Sequence, residues 1–168
     1  MTEEFYTKAV VLDKEPDGEA DSRVFLYTEA FGKIIGRATS ARKIVSKLSA
    51  HLEPLNLIDI KIVQKNRFQI VDALKIAALP TNRETLAALN LVKELAPEGE
   101  PDLDLWGVLA GKNPDGEQIL GVLGFDKKFA SCGICGSASL KHFLIGDLIY
   151  SCPACFFKSG SPKSFVLK

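Results

Sequence analysis

No stretch of the chain stays apolar long enough to span a bilayer, and the opening residues MTEEFYTK lack a charged-then-apolar leader. The sequence therefore predicts a cytoplasmic protein with no membrane segment. Histidine is scarce, with two in 168 residues, and no nucleophile elbow accompanies them. A phosphate-cradling glycine loop is missing too, because GKIIGR (32–37) has the wrong glycine and lysine spacing. Carboxylates gather at 13–21 and 98–104, but both stretches read as solvated loops. No catalytic constellation emerges, and an enzyme is not expected. Net charge is also absent: 21 basic and 21 acidic residues cancel. That balance argues against a strongly basic nucleic-acid binder. Internal repeats and low-complexity tracts are lacking.

What is present begins with a hydrophobic content of 46%, enough for a real core. The length suits one ordinary domain or two to three small ones. Charge alternates in blocks: −5 over residues 1–31, +7 over 32–83, −7 over 84–126 and +5 over 127–168.

All four cysteines fall in one stretch, as two Cys-x-x-Cys pairs, Cys132 with Cys135 and Cys152 with Cys155, sixteen residues apart. Two such pairs match a tetrahedral four-thiolate zinc site, since thiolates two residues apart can curl around one metal. Two disulfides would need an oxidising compartment, and a redox dithiol usually needs one pair in a strand–helix setting, so structural zinc is the preferred reading. Between the pairs, Leu140–Ile145 and Leu148–Ser151 read as short strands joined at Gly146-Asp147, giving a zinc-clamped hairpin over 131–156. His142 is expected to be an exposed strand residue and not a ligand.

The N-terminal part reads as five strands: Phe5–Leu12, Asp21–Thr28, Lys33–Thr39, a long strand over Leu52–Val63, and Arg67–Ala73. Asp13–Ala20 reads as an acidic loop and Ser40–Ala50 as a basic connector. A phase slip at Leu57–Ile58 signals a bulge or bend. Five strands in about seventy residues, one strongly bent, suggest a small OB-type barrel. After Pro80 the period becomes helical. Thr81-x-x-Glu84 reads as a capping box, followed by Leu86, Leu89, Val92 and Leu95 on one face. Shorter helices follow around Leu103–Leu109 and Ile119–Leu123. The fold class is α+β: an N-terminal five-stranded OB-type barrel (1–79), then a small helical block and a C-terminal zinc-bound β-hairpin (80–168).

Lys33, Arg37, Arg42, Lys43 and Lys47 occur within fifteen residues without an acid, and Lys65 and Arg67 precede the fifth strand. Clustered cations without counter-charges are the electrostatic footprint of a nucleic-acid site, although solvation alone is the competing reading. On an OB barrel, strands two and three with their flanking loops are where single strands lie. These seven residues are the expected DNA contacts. Arg23, Phe25 and Tyr27 on the second strand offer stacking surface, or else the two rings fill the barrel core.

An ordered series of motifs resembles the bacterial recombination mediator RecO family. It comprises Val11-Leu12 with Asp17-Gly18-Glu19-Ala20-Asp21, Thr28-Glu29-Ala30-Phe31-Gly32-Lys33, Ala41-Arg42-Lys43 with Ser46-Lys47, and Leu52-Glu53-Pro54-Leu55. Leu123-Gly124-Phe125 then leads into the two cysteine pairs. The resemblance implies an OB-fold, a helical domain and a zinc site. It also implies binding of single- and double-stranded DNA, strand annealing, and recombinase loading in DNA repair, with RecR and single-strand binding protein as partners. A protein-binding adaptor on the same scaffold, with little DNA affinity of its own, is the alternative.

Overall fold

The computed structural model describes residues 2–39, 47–160 and 163–168. Its N-terminal part is a closed barrel of five strands, β1 (Glu3–Asp17), β2 (Asp21–Thr28), β3 (Gly32–Ala38), β4 (Asn56–Gln64) and β5 (Phe68–Ala78), in the order β1-β2-β3-β5-β4. All neighbours are antiparallel except β3 and β5. Those two close the barrel through three parallel pairs, Gly36 with Phe68, Arg37 with Gln69 and Ala38 with Ile70. Alternation sends Val24 and Leu26 of β2, Ile34 and Ala38 of β3, and Ile58, Ile60 and Ile62 of β4 into the interior. Phe31 packs against both Phe5 and Phe68 at its edge, with centroids 4.9 and 5.9 Å away.

The expected phase slip is present: the β4–β5 register shifts between Leu57 and Ile58, and again between Lys61 and Ile62. The acidic loop is shorter than expected. Strand β1 runs on to Asp17, which pairs with Asp21 across a tight turn, and a register shift between Val11 and Asp13 lets the strand bend. Only Gly18-Glu19-Ala20 is turn. The expected fourth strand begins later, at Asn56, because Leu55 adopts a positive φ.

Three helices follow: α1 (Arg83–Leu95), α2 (Leu103–Leu109) and α3 (Gly116–Val122). Each is capped by a side-chain oxygen that accepts from first-turn amides, Asn82, Asp102 and Asp115 respectively. The cap of α1 is thus Asn82, one residue past the expected Thr81, because its Oδ1 accepts from Thr85 N at 2.8 Å. Its buried face is Thr85, Ala88, Leu89, Leu91 and Val92, which leaves Leu86 48% exposed.

A second sheet, in the order β7-β6-β8, holds β6 (His142–Leu144), β7 (Ile149–Ser151) and β8 (Ser164–Val166), all antiparallel. The expected hairpin is β6–β7. The apolar SFVL tail supplies the third strand and buries Phe165 and Leu167. A short helix, α4 (Pro153–Ser159), has Cys152 as its cap and Pro153 in its first turn, where a missing N–H costs nothing.

The helices and this sheet form a second core with the outer face of the barrel. Val10, Leu12, Tyr27, Leu55 and Leu79 contribute from the barrel side, and Leu89, Val92, Leu105, Leu109, Ile119 and Phe143 from the other. Tyr27 is 1% exposed and fills neither the barrel interior nor a stacking surface. Its hydroxyl accepts from Asp102 N at 3.1 Å and donates to Asp102 O at 3.4 Å.

Candidate nucleic-acid interface and metal centre

The outward face of β2 and β3 carries a row of charges set by strand register. Glu15 of β1 pairs with Arg23 of β2, Arg23 with Arg37 of β3, and Arg37 with Gln69 of β5. Two arginines directly opposite on adjacent strands repel unless anions sit beside them. Here carboxylates do: Glu15 Oε2 accepts from Arg23 at 2.5 Å, and Asp21 Oδ2 accepts from Arg37 Nη2 at 2.7 Å, with Asp17 3.4 Å from Arg37 Nε. Hydrogen bonding from Arg23, and then from Lys93, holds the Glu15 carboxyl below its usual range, and Glu15 in turn raises Arg23. Both arginines remain about half exposed.

Beside this row lies a groove of about 550 Å³ whose lining includes Arg23, Lys33, Ile35, Arg37, Arg67 and Phe68 together with two carboxylates, Asp17 and Glu98. The structure thus brings Lys33, Arg37 and Arg67 to one concavity. Lys47 and Lys65 are exposed but do not line it. Arg42 and Lys43 lie outside the described residues. Lys33 departs from the expected free cation. It is 9% exposed, and its ammonium donates to the Lys93 carbonyl at 2.9 Å, in the last turn of α1, where the helix dipole favours a cation. Phe68 lines the groove as well, although it is not among the expected contacts; its sequence signal is its place beside Arg67 at the start of β5.

Lys93 joins this face to the helices. Its ammonium bonds Asp13 at 2.5 Å and Glu15 at 3.3 Å and sits 4.3 Å from the Phe25 ring centroid. Phe25 is therefore half-buried under a cation, with Arg23 5.4 Å from the same ring. Burial works against the charge on Lys93, but the two carboxylates raise its pKa above the ordinary value.

The four cysteines converge at the far end. Their sulfurs all lie within 4.8 Å of one another, and Cys135 Sγ is 3.7 Å from Cys152 Sγ. A tetrahedron of thiolates at the usual zinc–sulfur length of about 2.3 Å has edges of about 3.8 Å. The donor set therefore fits a metal ion. Both pairs form turns that aim amides at sulfur. Gly136, at φ +76°, lets its N–H return to Cys132 O at 2.8 Å, and Cys155 N donates to Cys152 Sγ at 3.4 Å. Amides of Cys135, Cys152 and Ile134 hold the Cys132 thiol down at about 6. Cys155, hydrogen-bonded first to Cys135 and then to Cys152, is pushed up to about 12.

His142 is not the exposed residue expected. It is half-buried, stacked on Phe156 at 3.7 Å between centroids and 7° between planes. Its Nδ1 is buried without a hydrogen-bond partner among the described residues. Burial, and then the Lys141 charge, push its pKa down.

Fold and site together define an α+β protein built on a five-stranded barrel with an arginine-bearing outer face and a four-cysteine knuckle whose thiols could hold a metal ion. Residues 1–79 match the family model described as Recombination protein O N terminal. Proteins named DNA repair protein RecO are similar over longer spans. That of Syntrophobacter fumaroxidans is 29% identical over 77% of this chain, and that of Thermodesulfovibrio yellowstonii 28% over 90%. A shorter match to the Dehalococcoides mccartyi protein reaches 43% over 36% of this chain. The first 79 residues thus resemble the N-terminal part of RecO, and similarity to proteins named RecO extends beyond them. The chain spans 61% of the Syntrophobacter relative's length and 70% of the Thermodesulfovibrio relative's. Among the described residues, no helix is long and apolar enough to cross a membrane.

Proposed function

We propose that this chain is a DNA-binding recombination mediator in DNA repair. In this reading its OB-type barrel binds single-stranded DNA across β2 and β3, and double-stranded DNA through the same phosphate contacts. The observation that carries the reading is the direct cross-strand pairing of Arg23 with Arg37 beside a groove that also holds Arg67 and Phe68. Opposed guanidiniums suit an anion that bridges them, and a ring at the groove edge suits a base. Arg37, Arg67, Lys65 and Lys47 contact phosphates, Lys33 braces the groove, and Arg42 and Lys43, outside the described residues, are assigned as phosphate contacts from the sequence alone. The relatives' shared name, DNA repair protein, supports this reading. A RecR-like protein and single-strand binding protein are its partners, acting in strand annealing and recombinase loading in the cytoplasm. No bond-breaking chemistry is assigned to it.

The knuckle holds zinc through Cys132, Cys135, Cys152 and Cys155. Four thiolates complete a tetrahedral shell, so the metal supplies folding energy and leaves no position open for a substrate.

Fluorescence anisotropy of a labelled oligo(dT) at low and moderate salt tests the proposal. Affinity should fall steeply with salt, with a log–log slope of about −0.7 per phosphate neutralised. Arg37→Glu/Arg67→Glu should remove most of the binding, and Arg42→Glu/Lys43→Glu should weaken it further. Unchanged affinity in the first variant would sink the groove assignment. A second reading, an adaptor that holds a protein partner and barely touches DNA, is favoured by the carboxylates already seated on Arg23 and Arg37. Absence of DNA binding at low salt, with retention of a RecR-like partner, would select it.

A further inference from the structure

The metal knuckle presents a second surface on the side opposite the shared core. In the sheet β7-β6-β8, Phe143, Tyr150 and Phe165 lie in register and face the core. His142, Ser151 and Val166 form the neighbouring register row, on the opposite face. That row is covered only in part: Val166 is half exposed, and His142 is roofed by the Phe156 ring from α4. An edge-on ring contact extends this row. Phe157 lies with its ring 5.9 Å from Phe156, tilted 66°, and is 83% exposed. A ring left this open buries little area and so adds little to folding. Lys158 follows it and is exposed, as is Lys141 beside His142, and residues 148–168 contain no carboxylate side chain.

We propose that this ladder of rings, His142–Phe156–Phe157 with Lys158 beside it, is a second single-strand contact. A nucleobase stacks on Phe157 while Lys158 meets the adjoining phosphate. A polyanion with exposed planar bases matches both halves of the surface, since rings take the bases and lysines the charge. An apolar protein segment would match only the rings. The inference extends the DNA-binding reading of the barrel and depends on it: the barrel grips phosphates, and the knuckle holds the strand further along. Because Cys152 caps α4 and Cys155 lies within it, a metal held by these thiols would anchor the helix that carries Phe157.

The test uses the full chain, checked for metal content, and an oligo(dT) carrying one 2-aminopurine, whose fluorescence is quenched by stacking. Phe157→Ala should weaken binding at least about fivefold and relieve the quenching, as expected for one lost base–ring stack. Phe157→Tyr should restore both. Lys158→Glu should weaken binding and lower the salt slope by about 0.7, one phosphate contact. If Phe157→Ala and Lys158→Glu bind like the parent while Arg37→Glu/Arg67→Glu does not, the knuckle surface is refuted and the barrel reading stands. If the parent chain does not bind at low salt, both fall. Weakened binding by Phe157→Ala without a change in 2-aminopurine fluorescence would also refute it, since no base would then be stacked.

Discussion

The guanidinium of Arg37 donates through both Nε and Nη2 to one carboxylate oxygen, Asp21 Oδ2, at 3.1 and 2.7 Å. Asp21 opens β2 and Arg37, which lines the groove, lies near the end of β3. A phosphate arriving there must displace a carboxylate that already occupies the arginine.

Competition of this kind sets the first prediction. Asp17→Asn/Asp21→Asn should raise single-strand affinity about two- to fivefold, the scale of exposed ion pairs worth about 0.2–1 kcal/mol. Asp104→Asn/Asp147→Asn makes the same change in net charge away from the groove and should raise it less. Equal gains in titrations of the two variants would mean that charge alone, and not release of Arg37, governs the affinity.

Lys93 gives the second. Lys93→Met removes the bonds to Asp13 and Glu15 and the cation over Phe25. It should lower unfolding free energy by about 1–3 kcal/mol, read from the urea midpoint. The pH dependence has two arms. Glu15 is lowered from 4.5, so its contribution is present above that value and is lost as pH falls through the lowered one. Lys93 is raised from 10.5, so its contribution is complete below that value and is lost as pH rises through the raised one. The variant should flatten both arms relative to the parent.

Gly32 is the third. It has φ +64°, and a Cβ there would lie 2.2 Å from the Glu100 carbonyl oxygen. Gly32→Ala should cost at least about 1–3 kcal/mol from backbone strain alone, with displacement of the 98–102 segment in addition. Thermal unfolding should show the loss. A midpoint equal to the parent's would mean that the segment does not press on β3.

The fourth concerns the knuckle. Cys132→Ser or Cys155→Ser should strip the metal and loosen the β6–β7 hairpin and α4, because four-thiolate zinc sites contribute about 10–16 kcal/mol of binding at neutral pH. Metal analysis with near-ultraviolet circular dichroism checks it. A variant that keeps one equivalent of metal and a native spectrum would refute the ligand assignment.

The parts of this molecule that were legible in the sequence are those with short-range causes. The Leu57–Ile58 slip appears as two apolar residues in a row within an alternating strand, and the cysteine pairs advertise their own spacing. The parts that were not legible depend on distant partners. Asp13 and Glu15 look like loop acids until Lys93, some eighty residues later, arrives to pair with them. Lys33 looks like a free cation until the end of α1 takes its ammonium. Tyr27 has the same alternation whether it faces solvent or helices, and only the position of Asp102 decides. Phe157 is hidden differently: Phe156 and Phe157 are alike in sequence, and only the α4 geometry lays one ring on His142 and leaves the other exposed.

Val10, Leu12, Tyr27, Leu55 and Leu79 belong to the barrel strands and their adjoining turns, yet the core they fill is completed by the helices and the second sheet. Residue 79 is thus where the match to the N-terminal family model stops, not where cohesion does. A barrel cut free at that point would wear its mortar on the outside, five greasy side chains turned to water. The fragment should clump in solution, while the intact chain, with that seam sealed, should unfold as one block.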